Sequence, residues 1–521
     1  MSKIIINEMS YHYTNYYNPI FHNVNIILDT NWRLGLIGRN GRGKTTFLKL
    51  LLGELKPDKG NIIKKVDMLY FPFINKVSYC KTIDVIKENI GFLKSMEDKM
   101  ESILAEDMES RLEEYQTVFE NYLQSGGFEM ESRIKRELNL MHLSEKLLER
   151  DFDSLSGGEK TKMLIISLFL RKNGYILLDE PTNHLDVEGK RTLSDYLKHK
   201  TGFLIVSHDR QFLDMVTDHI MAINKADITL EKGNYSSWKS NKDKTEVFEL
   251  RTKTRLEREI TSLENRSVQN RNWAAIAEKE KNPYASNNRG NGSRAAKFMR
   301  QAKASELAIR KNIEYKKELL KNYEITQDLN LEQQSSEIIT LISIKNLSFK
   351  YTKEYVLKNI SLKINKGDRI WVRGKNGSGK STLLKILGQC IDAENITFQE
   401  HLIITQILQE PGWTTGYIND YFMDCFRLQK FKTLCEYLDI DEETLKRPIE
   451  TFSSGEVKKI ETARALALDN QLILMDEPLN YMDIYFREQL EKAIITYQPT
   501  IVFVEHDERF GYNVANKIID L

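Results

Sequence analysis

Apolar residues along this chain fall in short bursts with two different periods. Leu34, Leu36 and Ile37 lead into the glycine-rich stretch Gly38–Lys44, and Phe47, Leu48, Leu50 and Leu51 follow it. The same order returns far downstream. Ile370-Trp371-Val372 leads into Gly374–Lys380, and Leu383, Leu384, Ile386 and Leu387 follow. Apolar runs bounded by glycine predict buried parallel strands, and the three-to-four spacing after them predicts amphipathic helices. Two further runs end in acidic pairs: Tyr175–Leu178 before Asp179-Glu180, and Leu472–Met475 before Asp476-Glu477. Repeated strand–loop–helix units of this kind predict an α/β chain with a duplicated domain.

Between the repeats the pattern changes. From 242 to 321 there is almost no strand signal, and Pro283 is the lone proline. Two helical segments, 242–281 and 293–322, flank the turn-rich stretch 282–292. They predict an αα-hairpin whose forty-residue first arm would span about 60 Å, far longer than a tether requires. A second helical series, Phe92, Met96, Met100, Ile103, Leu104, Met108 and Leu112, makes Glu88 to Tyr122 helical and predicts an inserted helical pair, with an enlarged helical subdomain as the alternative. The predicted boundaries are a first domain over 1–240 with a helical insertion at about 88–122, a hairpin linker over 241–325, and a second domain over 326–521.

Charge sharpens the picture of the linker. The 521 residues carry 76 Lys+Arg and 75 Asp+Glu, a net charge of +1. That total argues against a uniformly basic surface. Yet 242–321 holds 20 basic and 11 acidic residues, or +9, which leaves −8 for the remainder. From about 281 to 305 the predicted tip has six basic residues and no acidic one: Lys281, Arg289, Arg294, Lys297, Arg300 and Lys303. Trp273, Tyr284 and Phe298 are interleaved. Cations neutralise phosphates and aromatic faces stack on unpaired bases, so these nine residues are the predicted RNA-contacting tip.

Other classes recede. The longest candidate, Met163–Leu170, is eight residues and contains Ser167, against the ~20 apolar residues of a membrane helix. The first residues lack the apolar core of a signal peptide. The cysteines Cys80, Cys390, Cys425 and Cys435 form no CxxC pair, which argues against zinc and iron–sulfur sites. A cytoplasmic protein with no membrane partner is expected.

The glycine-rich stretches carry the chemistry. Both fit GxxxxGK[ST], between a strand and a helix as that motif requires. Gly38, Asn40, Gly41, Gly43, Lys44, Thr45 and Thr46 form the first, and Gly374, Asn376, Gly377, Gly379, Lys380, Ser381 and Thr382 the second. Backbone N–H groups in such a loop face phosphate oxygens at a helix N-terminus. Lys44 and Lys380 would reach the β- and γ-phosphates, and the Thr45 and Ser381 hydroxyls would serve Mg²⁺. Two ATP molecules with Mg²⁺ are the expected cofactors.

Further motifs recur in the same order. Leu155-Ser156-Gly157-Gly158-Glu159 is answered by Phe452-Ser453-Ser454-Gly455-Glu456, and Ser207-His208-Asp209 by Glu505-His506-Asp507. With these the chain resembles the ATP-binding cassette superfamily, over nearly its whole length outside the linker. The resemblance implies two P-loop ATP-binding cassette domains joined by a long α-helical hairpin linker. It implies that Asp179 and Asp476 hold Mg²⁺, that Glu180 and Glu477 polarise the attacking water, and that His208 and His506 contact the γ-phosphate. It also implies adenine stacking by Tyr13 and Tyr351, with Tyr11, Tyr16 and Tyr17 as competitors for the first. Each ATP would lie between one cassette's P-loop and the other's signature serine, so a monomer can form both sites as an intramolecular sandwich. Site one joins Lys44, Asp179, Glu180 and His208 with Ser453, Ser454 and Gly455. Site two joins Lys380, Asp476, Glu477 and His506 with Ser156, Gly157 and Gly158.

The halves depart from the superfamily pattern unequally. Gln409 matches the metal-side glutamine of the second half, whereas Phe73 stands at the corresponding first-half position. Phe452 and Ser454 replace the usual Leu and Gly of the second signature. Both departures fall in site one, which is expected to bind ATP and turn it over more slowly than site two.

Spacing narrows the resemblance. The P-loop lysines are 336 residues apart and the signature serines 297, so the first half holds 39 extra residues between these motifs. With a charged helical linker and Gly233-Asn234-Tyr235-Ser236-Ser237-Trp238 before it, the chain resembles the ABC-F translation-factor family. That resemblance implies binding at the E site of the bacterial 70S ribosome. The insertion would approach the L1 stalk region, and the linker would reach P-site tRNA and 23S rRNA at the peptidyl-transferase centre. A short insertion, a glycine- and asparagine-containing tip and only 15 residues after His506 look most like the Vga/Lsa/Msr-like antibiotic-resistance group. The implied drugs are lincosamides, pleuromutilins and streptogramin A compounds. A housekeeping translation factor is the alternative, and an exporter ATPase a more distant one, since it would give the basic hairpin no role.

Overall fold

A computed structural model describes residues 2–13, 19–73, 81–106, 111–183, 185–224, 227–245, 252, 254–255, 258–265, 311, 329–331, 333, 339–351, 354–375, 377–409, 411–421 and 425–521. The chain divides into two compact units, Met1–Tyr235 with Thr326–Leu521, and Ser236–Ile325. In the second unit, 236–245 and 258–265 are helical. The expected tip residues Trp273, Lys281, Tyr284, Arg289, Arg294, Lys297, Phe298, Arg300 and Lys303 lie outside the described residues. So does Asn376.

The larger unit repeats one α/β plan. In its first half the strands are β1 (Lys3–Tyr11), β2 (Phe21–Asp29), β3 (Arg33–Gly38), β4 (Lys59–Ile63), β5 (Asp67–Phe71), β6 (Gly174–Asp179), β7 (Phe203–Val206), β8 (His219–Ile223) and β9 (Ile228–Lys232). In its second half they are β10 (Thr340–Lys350), β11 (Tyr355–Asn365), β12 (Arg369–Arg373), β13 (Ile396–Phe398), β14 (Ile404–Ile407), β15 (Leu472–Asp476), β16 (Ile501–Val504) and β17 (Lys517–Asp520). Each half has a central sheet, ordered β5-β6-β7-β3-β8-β9 and β14-β15-β16-β12-β17, and an antiparallel sheet, β2-β1-β4 and β11-β10-β13. The central pairings are parallel except β8 with β9.

Burial explains the apolar runs. Every residue of Phe203–Val206 and Ile501–Val504 is buried, as expected for parallel strands covered on both faces. Register then sets the chemistry. Asp179 pairs with Val206 and Asp476 with Val504. The acidic pair and the histidine two residues past the neighbouring strand (His208 or His506, the switch histidines) therefore leave the sheet side by side at the strands' carboxyl ends, where open α/β sheets bind ligands.

The helical regions differ between halves. The first has helices Thr82–Gly91, Leu93–Glu106, Leu112–Ser125 and Gly127–Leu140. The helical series expected from Glu88 onward is divided at Phe92, which stands in a left-handed cap at φ 60° between two helices. The counterpart in the second half is Cys425–Tyr437 with two short turns, Ile418–Tyr421 and Glu442–Leu445. Among the described residues, no helix is long and apolar enough to cross a membrane.

Candidate active site

Both P-loops enter helices without a side-chain cap. Gly43 and Gly379 stand at φ 91° and 97° before Lys44–Leu52 and Lys380–Leu387. A Cβ at Gly43 would lie 2.5 Å from Ile20 Cγ2, so glycine is required by space as well as by conformation. With no side-chain cap, the first helical N–H groups remain available to an anion. Lys44 Nζ donates to the carbonyls of Gly38 (2.7 Å) and Arg39 (3.2 Å) and to Asn40 Oδ1 (3.3 Å). Lys380 Nζ donates to the carbonyls of Gly374 (2.8 Å) and Lys375 (3.0 Å). Each ammonium is thus folded into its own loop. Burial pulls the Lys44 pKa down, against the raising influence of Asp483, Glu180 and Asp179. The hydroxyls of Tyr13 and Thr46 are 3.2 Å apart, and those of Tyr351 and Thr382 are 3.4 Å apart.

The acidic pairs share a strained backbone. Glu180 and Glu477 have φ of 49° and 48°, a region that non-glycine residues enter at a cost. Hydrogen bonds from their N–H groups to the carbonyls of Val206 (2.9 Å) and Val504 (3.0 Å) hold them there. His208 Nε2 lies 3.4 Å from Glu180 Oε1, and His506 Nε2 lies 3.5 Å from Glu477 Oε1.

The surroundings of the two glutamates differ. Burial, then Asp179, raises the Glu180 carboxyl pKa, and its Oε1 has no hydrogen-bond partner. His506 holds Glu477 below its ordinary value despite burial, with help from Asn480 and Lys380. Gln409 Nε2 donates to Glu477 Oε2 at 3.1 Å, and Asn480 Nδ2 donates to the same oxygen. Across the repeat, Phe73 is half-buried and cannot donate in this way. Instead Tyr70 donates its hydroxyl to Asp179 Oδ2 at 3.1 Å.

The signature serines are helix caps. Ser156 and Ser453 begin Gly157–Leu170 and Ser454–Ala467, each in a capping box with Glu159 or Glu456. Both helix N-termini face the opposite half. One cavity of about 550 Å³ is lined by Tyr13, Gly41, Gly43, Lys44, Thr45, Thr46, Asp179, Glu180 and His208 together with Ser453, Ser454 and Gly455. A second, of about 740 Å³, is lined by Ser156, Gly157 and Gly158 together with Gly377, Gln409, Glu477 and His506. Lys380, Ser381 and Asp476 are not in that lining.

Direct contacts join the halves at the first cavity. The Asn40 N–H donates to Asp483 Oδ2 (2.9 Å), and Asn40 Nδ2 donates to the Tyr481 carbonyl (2.9 Å). A Cβ at Gly455 would lie 2.8 Å from Asn40 Nδ2. At the second cavity, Lys375 Nζ lies 3.4 Å from Glu188 Oε2.

Sequence reading missed Tyr70, Asn480, Asp483 and Arg487. The stretches Thr182–Asp186 and Leu479–Asp483 follow the acidic pairs at equal spacing, so the repeat itself could have flagged Asn480 and Asp483. Tyr70 and Arg487 had no such signal.

The donor chemistry suits Mg²⁺. Asp476 Oδ1 is buried without a hydrogen-bond partner. Burial raises the pKa of that carboxyl, against the lowering influence of the Ser381 hydroxyl. Hydroxyl, carboxylate and amide oxygens are the ligands a hard cation takes.

The ABC transporter sequence profile matches residues 21–183 and 357–480, which is more than half of the chain. The chain belongs to the ABC transporter family. It is an ATP hydrolase with two ABC domains; such domains bind ATP, generally with Mg²⁺. Its relatives include ABC-F proteins. ABC transporter F family member 5 of Arabidopsis thaliana is 25% identical over 531 residues, covering 96% of this chain and 73% of that protein. Ribosome protection protein VmlR of Bacillus subtilis (strain 168) is 25% identical over 513 residues, covering 95% of this chain and 83% of that protein. The fold is that of an archaeal ribosome recycling factor, aABCE1, solved with ribosomal stalk protein aP1. That match has TM-score 0.57 and 17% identity, and covers 98% of this chain and 87% of that one.

Proposed function

We propose that this ABC ATPase binds the bacterial ribosome at the E site and uses its interdomain linker to dislodge antibiotics from the peptidyl-transferase centre. Lincosamides, pleuromutilins and streptogramin A compounds are the proposed drugs. The observation that carries this reading is the near full-length relationship to a ribosome protection protein. The +9 charge of 242–321 supports it by supplying an RNA-seeking element.

ATP would act as the closing ligand of the two cassettes. P-loop N–H groups and Lys44 or Lys380 would hold its phosphates from one side. The N-terminus of the opposing signature helix, capped by Ser453 or Ser156, would hold them from the other. Tyr13 and Tyr351 would stack on adenine. Thr45 with Asp179, and Ser381 with Asp476 and Gln409, would hold Mg²⁺, which when bound screens phosphate charge and polarises the γ-phosphate. Glu180 and Glu477 would orient the attacking water, with His208 and His506 contacting the γ-phosphate. Closure favours the ribosome-bound state, and hydrolysis permits release. The tip residues Trp273, Lys281, Tyr284, Arg289, Arg294, Lys297, Phe298, Arg300 and Lys303 would contact rRNA and the tRNA acceptor end. The helical insertion would face the L1 stalk.

Expression in a susceptible bacterium tests this reading. Inhibitory concentrations of the three drug classes should rise while intracellular drug stays unchanged. A Glu180→Gln/Glu477→Gln double variant should co-sediment with ribosomes when ATP is present. No protection and no ribosome association would overturn the proposal. A housekeeping factor that tunes P-site tRNA is the second reading. It is supported by the equal identity to an ABC transporter F family member, and ribosome association without drug protection would select it.

A further inference from the structure

One buried cation lines both nucleotide cavities. Arg487 is 8% exposed and borders the first cavity and the second. It lies on helix Ile484–Tyr497, directly after the loop Leu479–Asp483. Its guanidinium makes three hydrogen bonds within the second half. Nη2 donates to the Leu479 carbonyl (2.9 Å), Nε to the Met482 carbonyl (3.1 Å) and Nη1 to Asp507 Oδ2 (3.2 Å). Glu505 completes the hold. Its Oε2 accepts from the Leu479 N–H (3.2 Å) and its Oε1 from the His506 N–H (3.0 Å). The Leu479 backbone is therefore gripped at both its N–H and its carbonyl by side chains tied to the switch-histidine loop.

Among the described residues, the first half has no guanidinium clamp of this kind. Lys190 occupies the position of Arg487, and its ammonium bonds Asp209 Oδ2 at 3.0 Å. Ser207 occupies the position of Glu505, and its hydroxyl lies 3.3 Å from Thr182 Oγ1. An ammonium is a point charge, whereas a guanidinium is a planar fork able to hold several acceptors in fixed directions. In the first half, among the described residues, a single Ser207–Thr182 hydroxyl contact joins the two loops; in the second half a guanidinium and a carboxylate hold the Leu479 main chain from both sides, a stiffer link between the switch loop and Leu479–Asp483.

That loop matters because its far end reaches the other site. Tyr481 and Asp483 accept the two Asn40 hydrogen bonds, and Asn40 belongs to the first P-loop. His506, at the near end, lies 3.5 Å from Glu477 of site two. We propose that Arg487, supported by Glu505, is the positioning residue that couples the two ATP sites. It would transmit the occupancy of site two, through the switch loop and Leu479–Asp483, to the P-loop of site one. Coupling between binding equilibria is reciprocal, so ATP in site one favours binding in site two by the same factor. The inference rests on the proposed roles of Lys44, Lys380 and His506 as ATP ligands.

The test is an ATP-binding isotherm, read by equilibrium dialysis with labelled ATP and Mg²⁺. The full-length Glu180→Gln/Glu477→Gln chain serves as parent, so that ATP is not consumed. The parent should fill two sites with a Hill coefficient above 1, one occupied site raising affinity at the other by ~5-fold or more. Adding Arg487→Lys keeps the charge and the Asp507 pair but removes the fork. Both sites should still fill, with the enhancement falling below about 2-fold. Lys190→Met in the same parent should keep the cooperativity. Glu505→Ser, which copies the first half, should reduce it and serves as the second variant should Arg487→Lys not fold. Undiminished cooperativity in Arg487→Lys and Glu505→Ser, or an equal loss in Lys190→Met, would overturn the assignment. Two-site filling without cooperativity in the parent sinks the coupling alone. A parent that binds no ATP sinks the ATP-site reading together with it.

Discussion

Tyr70 and Phe73 set the two acidic pairs apart residue by residue. At site two, Gln409 reaches Glu477. At site one the equivalent Phe73 cannot, and the phenol of Tyr70 bonds Asp179 instead. Gln406, which repeats Tyr70 in the second half, turns to the Gly388 carbonyl at 3.0 Å. Groups that orient a metal-side carboxylate typically govern metal affinity by ten- to a hundredfold. Tyr70→Phe should therefore lower the apparent Mg²⁺ affinity of site one by about tenfold, measured as the Mg²⁺ dependence of ATP turnover in a Glu477→Gln background. An unchanged dependence would reduce Tyr70 to packing. The missing glutamine also predicts unequal turnover. Glu477→Gln should remove more of the steady-state ATPase activity than Glu180→Gln, and the reverse order would refute a slower site one. The difference at Phe73 was legible in the sequence, because the motif fixes where glutamine belongs. The Tyr70 contact was not, because Asp179 lies 109 positions away and nothing in a tyrosine's neighbours announces its partner. The positive φ of Glu180 and Glu477 was equally hidden, since glutamate is not a residue that marks left-handed backbone.

Elements were most legible where backbone chemistry dictates residue type. The signatures Ser156-Gly157-Gly158-Glu159 and Ser453-Ser454-Gly455-Glu456 spell the Ser-x-x-Glu capping box, and both helices begin there. The box has a structural duty separate from any ligand. Ser453→Ala should cost about 1 kcal/mol of stability, while Ser453→Asn, a side chain that also caps, should recover most of it. Urea unfolding of both variants checks this, and equal stability of the two would mean that the cap is not stabilising the helix. Periodicity was a poorer guide in the insertion. The apolar series through Phe92 keeps a helical period, but the helix ends there with Phe92 in the left-handed region. Periodicity records which face is buried, and a break that leaves the buried face aligned does not disturb it.

At the scale of the whole molecule, the halves meet through pairs that no local pattern announces. Arg210 Nη2 bonds Glu491 Oε2 at 2.7 Å, Arg191 Nη2 bonds Glu508 Oε2 at 2.7 Å, and the Tyr235 hydroxyl donates to Glu488 Oε1 at 2.8 Å. The residues of each pair are separated by 281, 317 and 253 positions, so only the repeat arrangement brings them together. Geometry alone would rank the two ion pairs as equal, but solvent does not. The Arg191 side chain is 63% exposed and that of Arg210 only 3%. Water and salt screen the first, which is worth at most about 1 kcal/mol. Removing Arg210 leaves Glu491 and Asp507 in a dry interface with one cation fewer, a change that costs about 3–5 kcal/mol. Asn513, which donates to Glu491 at 2.6 Å, and Arg487 beside Asp507 both remain, so the lower end of that range is expected. In urea unfolding, Arg210→Met should shift the midpoint strongly and nearly independently of salt. Arg191→Met should shift it by a few tenths of that amount, less still at high salt. A large effect of Arg191→Met, or a salt-sensitive effect of Arg210→Met, would mean that the interface between the cassettes is wet. Its stability would then come from the sum of exposed charges rather than from the buried pair.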